Sequence, residues 1–303
     1  MRPLAPTSLL ARLDETETIA SAESESENLD RAHRHARERG VSRLLYAVVR
    51  FLLTPALRLW FRVRISGAEH LPAQGAAIIA PNHKSFLDAF FVGIATHRHV
   101  RFMAKTELFR GVLGWAFLRL GAFPVRRGEA DLQAITTART ILEQGGLLVL
   151  FPEGTRVEDP DALGSPHHGA GRLAIETGAP IIPAAITGTD HLWLGPIPKP
   201  RRVELAFLEP LDPRQLVGRP NAVTELIDRE LWPAVQAQYG LQLARPGLVL
   251  TLLAGLGIGT GLLARRRARA TPRLLGKVKP RKVRRREARQ RILARFPRLG
   301  RKR

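Results

Sequence analysis

The sequence predicts an α/β domain, and three observations predict it. Short apolar runs recur along the chain, each closed by a glycine or proline: Val63-Arg64-Ile65 before Gly67, Ala76–Ala80 before Pro81, Leu147–Phe151 before Pro152 and Ile181–Ile186 before Gly188. They read as short buried strands. Between two of them, Ala130–Gln144 has the apolar spacing of a helix, and such alternation implies an α/β layer structure. Finally, two motif blocks rich in polar and charged residues start directly after predicted strands, where α/β folds gather their chemistry.

At 303 residues and 45% hydrophobic content, the chain can bury one sizeable domain and carry appendages. It contains no cysteine, which excludes disulfides, a thiol nucleophile and thiolate metal sites and leaves the redox compartment open. The net charge of +21 is unevenly spread: residues 265–303 hold 19 Lys/Arg against Glu287 alone, so this tail carries +18 and the remainder about +3. Such a run repels itself, predicts disorder, and seeks a polyanion, either anionic lipid or nucleic acid.

Five segments follow in order. Residues 1–40 begin without the pattern of a signal peptide, and 14–30 hold seven acids and no bases, a composition that predicts disorder. In residues 41–65, Arg43, Arg50, Arg58 and Arg62 fall within an arc of about 120° at helical spacing. The rest of the circumference is apolar and carries Tyr46 and Trp60, so this segment predicts an amphipathic, membrane-associating helix pair, kinked or split at Pro55. Residues 66–245 hold the strands and motifs, and form the predicted catalytic domain. In 246–264, the uncharged run 247–264 would span roughly 27 Å as a helix, and the pairs Gly255/Gly259 and Gly257/Gly261 suit close helix packing. Five glycines weaken that helix. A single span would put the basic tail opposite a cytoplasmic catalytic domain, against the positive-inside bias, so a re-entrant or interfacial segment is expected. The last segment is the tail, 265–303.

The chemistry resides in Asn82-His83-Lys84-Ser85-Phe86-Leu87-Asp88, Gly121–Gly128 and Phe151-Pro152-Glu153-Gly154-Thr155-Arg156. A histidine near neutral pKa can take a proton from a hydroxyl, a carboxylate can fix its tautomer, and guanidinium forks grip phosphate. His83 and Asp88 are five residues apart, about 140° around a straight helix, so they would not share a helical face. His83 is therefore expected in the turn after the Ala76–Ala80 strand, and Ser85-Phe-Leu-Asp88 reads as a capping box that starts a helix at Ser85 and sets Asp88 beneath His83. His97/His99 and His167/His168 lack a metal-site spacing and read as exposed loop residues.

Phe102–Phe109, Gly114-Trp115, Gly121-Ala-Phe-Pro-Val-Arg-Arg127, Phe151–Arg156 and Ile181–Ile186 follow the His83/Asp88 block in an order that resembles the glycerolipid acyltransferases of the lysophosphatidic acid acyltransferase type. The resemblance covers roughly residues 43–245. It implies a mixed sheet flanked by helices, with His83 as general base and Asp88 as its orienting partner in a single-step attack of a glycerol hydroxyl on an acyl thioester. It places Arg127, Glu153, Gly154, Thr155 and Arg156 at the glycerophosphate. Lys105 adds positive potential, and Glu153 is read as orienting Arg156 or hydrogen-bonding a hydroxyl. Arg126 stands where relatives usually carry an acid, and Pro166-His167-His168 where they often carry an aromatic-Lys pair; both bear on acceptor identity.

The implied function is transfer of a fatty acyl group from acyl-CoA or acyl carrier protein to 1-acylglycerol-3-phosphate, giving phosphatidic acid, with no metal and no cofactor beyond the thioester co-substrate. The expected place is the cytoplasmic face of the cell membrane, held through residues 42–62, 247–264 and the tail. Another lysolipid acceptor is the alternative within the family. A degenerate domain with a nucleic-acid-binding tail is the alternative outside it, although Phe296 is the tail's one aromatic and offers no stacking platform.

Overall fold

A computed structural model describes residues 24, 26–126, 128, 131–194 and 197–255. Seven strands form one sheet in the order β1-β9-β6-β2-β5-β3-β4: β1 (Arg64–Ser66), β2 (Ala77–Pro81), β3 (Val100–Lys105), β4 (Ala122–Val125), β5 (Leu147–Val149), β6 (Ile181–Thr187) and β9 (Glu204–Phe207). The short β7 (Trp193–Leu194) and β8 (Ile197–Pro198) pair as a separate ribbon. Strands β2 to β6 run parallel, whereas β9 is antiparallel to β6 and carries β1 with it. The sheet is thus mixed, and α1 (Ser26–Glu38), α2 (Arg43–Trp60), α3 (Asp88–Ala95), α4 (Gly111–Arg119), α5 (Leu132–Glu143), α6 (Gly169–Thr177), the short α7 (Ala222–Thr224) and α8 (Trp232–Gly255) complete it.

The predicted strands fall where strands form, and for a physical reason. Every residue of β2 and of β6 is buried, because a strand with helices on both sides has no wet face and reads as an unbroken apolar run. Neighbouring β2 residues feed opposite layers. Ile78 packs with Ile141, Leu142 and Leu173 of α5 and α6, while Ile79 packs with Leu57 of α2 and Phe91 of α3.

Residues 26–38 overturn the expectation of disorder through residue 40. They form α1, which buries Leu29, Ala32, His33 and Ala36, positions that recur at helical spacing on one face. Side chains then lock it down: Arg101 Nη2 donates to Ala36 O at 2.6 Å, Arg37 Nη1 to Thr137 Oγ1 at 2.9 Å and Gln144 Nε2 to Arg37 O at 3.0 Å. Three acids and three arginines among the same residues conceal this narrow stripe. Residues 1–23 lie outside the described residues.

Helix α2 is one element with Pro55 inside it rather than a pair split there. Only Leu57 is buried, and Leu44, Phe51 and Leu59 are 78%, 79% and 80% exposed. No single helix among the described residues is long and apolar enough to cross a membrane; Ser26–Glu38 and Arg43–Trp60, bent by 89°, meet the length and composition test only as a pair. Residues 247–255 belong to α8, and 256–303 lie outside the described residues.

Candidate active site

The site forms where β2 and β5 end. Asn82 closes β2: its Nδ2 donates to Ile186 O at 3.0 Å and its Oδ1 accepts from Ile186 N at 2.7 Å. An amide side chain thereby continues the strand pairing and fixes the direction in which the next residue leaves the sheet. That residue is His83, 7% exposed. Its Nδ1 lies 2.9 Å from Asp88 Oδ2, and its ring stacks on Phe151 with centroids 4.0 Å apart and planes inclined by 24°.

Asp88 is fully buried. Its Oδ2 also accepts the backbone N–H groups of Lys84 and Ser85, each at 2.7 Å. Three donors on one oxygen hold the turn and the imidazole as a unit. The helix α3 starts at Asp88 and not at Ser85. Ser85 Oγ accepts from Leu87 N at 3.3 Å, so only the carboxylate half of the expected capping box forms, and the residues 84–87 remain a turn bent around Asp88. With a carboxylate at Nδ1, the neutral ring carries its proton there and presents the Nε2 lone pair; Nε2 has no hydrogen-bond partner among the described residues.

Glu153 takes a role the sequence did not predict. It is 4% exposed, and its Oε2 accepts His83 N at 2.5 Å while Oε1 accepts Gly164 N at 2.7 Å. Both oxygens therefore face backbone amides, and no ion pair joins Glu153 to Arg156. Burial pushes its carboxyl above the ordinary range, opposed by those two amides and by Lys84. Gly154 follows at φ +66°, a left-handed turn that places the position of a Cβ 2.8 Å from His167 Cδ2.

Lys84, unmarked by sequence reasoning, is buried and donates from Nζ to the carbonyls of Asp159, at 2.5 Å, and Ala162. Burial lowers its pKa, while Glu153 and Asp159 raise it. With Val157 N donating to His83 O at 2.9 Å and Tyr239 OH to Pro160 O at 2.6 Å, the lysine folds residues 157–164 back over the His83 turn. Its place inside the Asn82–Asp88 motif was legible in the sequence; its burial and its distant carbonyl partners were not.

Lys105 ends β3 in register with Val125 and is exposed, as are Arg126, Thr155 and Arg156. The structure thus gathers His83, Asp88, Phe151 and Glu153 into one contact set and leaves Lys105, Thr155 and Arg156 on the accessible edge. Arg127 lies outside the described residues.

An imidazole with its tautomer fixed and its Nε2 open can take a proton from a hydroxyl. Residues 62–187 match the family model described as Acyltransferase. The likeness to acyltransferases lies in this segment. The chain is 31% identical over 137 residues to a chloroplastic 1-acyl-sn-glycerol-3-phosphate acyltransferase of Arabidopsis thaliana, a match covering 44% of this chain and 38% of that protein. It is 29% identical over 179 residues to the 1-acyl-sn-glycerol-3-phosphate acyltransferase of Bacillus subtilis, covering 56% of this chain and 86% of the relative. The chain thus spans under two fifths of the plant relative's length. The crystal structure of the 1-acyl-sn-glycerophosphate acyltransferase PlsC from Thermotoga maritima superposes with a TM-score of 0.52 at 23% identity, over 65% of this chain and 83% of that one; the mixed α/β domain described above shares its fold. His83, Asp88, Glu153 and Arg156 all fall inside the matched segment.

Proposed function

We propose that this chain moves a fatty acyl group from an acyl thioester to the free hydroxyl of 1-acylglycerol-3-phosphate, giving phosphatidic acid. The observation that carries the reading is the His83 Nδ1 to Asp88 Oδ2 contact of 2.9 Å inside the segment that matches the Acyltransferase family model, with Nε2 left open. His83 Nε2 takes the hydroxyl proton as the oxygen attacks the thioester carbonyl. Asp88 stabilises the imidazolium that results. Collapse of the tetrahedral intermediate breaks the C–S bond, and the imidazolium returns its proton to the departing thiolate. Neither metal nor other cofactor takes part in these steps.

Lys105, Arg127 and Arg156 would bind the acceptor's phosphate, for which guanidinium forks suit best. Glu153 and Gly154 serve by shaping the turn that carries Arg156. The exposed apolar residues of α2, with Arg43 and Arg58 also exposed on that helix, support attachment to an anionic bilayer, where the lysolipid resides. The cytoplasmic face is proposed because acyl thioesters are made and used there; the basic tail would add about 1 kcal/mol per well-placed base. The test is a panel of lysolipids offered with labelled acyl-CoA or acyl carrier protein, the products identified by mass. Transfer to 1-acylglycerol-3-phosphate above the other acceptors is expected; preference for a different lysolipid would reassign the substrate.

A further inference from the structure

The sheet has a second charged end. Opposite the His83 edge, the beginnings of β3 and β5 and the connector between α1 and α2 line an open concavity of about 470 Å³. Its charged lining is Arg39, Arg43, Arg98 and Arg101, joined by His97 and His99, with no Asp or Glu among the lining residues. Val100, at this end, and Lys105, at the catalytic edge, are the first and last residues of β3, about 16 Å apart along an extended strand. A phosphate held here cannot touch His83.

Arg98 and Arg101 are tied to the fold. Arg98 donates to the carbonyls of Pro72, Gly75 and Gly145 at 3.1, 2.6 and 2.7 Å, and Arg101 to those of Gly121 and Ala36 at 3.1 and 2.6 Å. Carbonyl oxygens satisfy donors but do not neutralise charge. Arg101 is 7% exposed, burial lowers its pKa to about 10, and no carboxylate pairs with it among the described residues. Two further groups sense the resulting potential: burial, then Arg43, Arg50 and Arg101, lower the pKa of His99, and burial, then Arg119, Arg39 and Arg101, lower that of His35. A concave site that holds cations of one sign concentrates counter-anions. Arg39, Arg43 and His97 are exposed and their side chains have no hydrogen-bond or ion-pair partner among the described residues, so the fold itself does not account for those side chains.

We propose that this basin binds a phosphate-bearing anion, gripped by Arg39, Arg43 and His97 over the fixed charges of Arg98 and Arg101. Guanidinium groups suit phosphate oxygens bidentately. A soluble phosphate compound and a lipid headgroup share that chemistry. The headgroup has a route in, since Arg43 opens α2 and the adjacent Leu44 is 78% exposed.

The test uses the full chain, its basic tail included, and compares it with Arg39→Glu/His97→Glu and with the milder Arg39→Gln/His97→Gln, each confirmed folded by its melting transition. Inorganic pyrophosphate reports the soluble arm by calorimetry. Phosphatidylcholine vesicles doped with phosphatidic acid report the lipid arm, with oleate-doped vesicles of equal charge as control. Both variants are expected to bind pyrophosphate about tenfold or more weakly, the loss of a charge-assisted contact. A parallel loss on phosphatidic acid vesicles exceeding that on oleate identifies the headgroup; unchanged vesicle binding identifies a soluble anion. Pyrophosphate binding that is unchanged in folded variants, whether vesicle binding holds or falls equally on both lipids, would overturn the proposal.

Discussion

Glu153 Oε2 accepts the backbone N–H of His83 at 2.5 Å, so the carboxylate that follows β5 fixes the main chain of the residue that follows β2. The same side chain holds Gly164 N through Oε1 at 2.7 Å. Replacing it by glutamine turns one acceptor into a donor facing a buried N–H. Glu153→Gln should therefore lose about 1–3 kcal/mol of stability and lower kcat by loosening His83, with little change in acceptor KM. Denaturant unfolding and steady-state kinetics measure both. An unchanged unfolding curve with a raised acceptor KM would instead make Glu153 a substrate contact.

Gly154 poses a backbone question that can be separated from a steric one. Its φ of +66° disfavours any side chain, and an added Cβ would come within 2.8 Å of His167 Cδ2. Gly154→Ala should destabilise by about 1 kcal/mol or more. Adding His167→Ala should recover only part of that, because it removes the clash and leaves the dihedral. Full recovery in thermal melts would show that the left-handed turn costs nothing.

The docking of α1 should depend on pH. His33 Nδ1 lies 3.0 Å from Thr137 Oγ1, a hydroxyl that also accepts from Arg37 at 2.9 Å and keeps a hydrogen that a neutral His33 can accept. Burial lowers the His33 pKa below 6.5, with Arg37 and Arg126 acting in the same direction and Asp131 and Asp30 against. The folded state then binds fewer protons than the unfolded one below the ordinary value. This contribution to stability is complete above that value and is lost as pH falls through the folded-state value. Melts from about pH 8 to about pH 5 should show a steeper fall for the native chain than for His33→Gln. Parallel profiles would remove His33 from the account.

Arg156→Ala should raise the KM for a phosphate-bearing acceptor by about tenfold and leave that for the acyl donor near its original value. Equal effects on both substrates would contradict a phosphate role.

Periodicity exposed β1, β2, β5 and β6, most clearly where coverage on both faces leaves continuous apolar runs, as in β2 and β6, and it left β3, β4 and β9 unread. Motif order located the site edge, since His83 and Phe151 leave neighbouring strands β2 and β5 at the same end. What stayed hidden depends on contacts distant in sequence. Lys84 reaches carbonyls at Asp159 and Ala162, and Glu153 reaches amides at His83 and Gly164; no local pattern encodes such ties. Helix α1 was hidden differently, its four buried positions outnumbered by the acids and polar residues around them. The α3 start shifted because Asp88, aimed at His83 and two amides, bends residues 84–87 into a turn before the helix can begin.

The central claim is that His83, oriented by Asp88, is the base for acyl transfer. The most direct measurement is single-turnover acyl transfer to 1-acylglycerol-3-phosphate by His83→Ala, with Asp88→Asn alongside and folding checked by melting. A loss of about 10²–10⁴ in rate is predicted for His83→Ala, with a severe loss for Asp88→Asn and acceptor binding retained in both. Near-normal turnover by a folded His83→Ala chain would contradict the account.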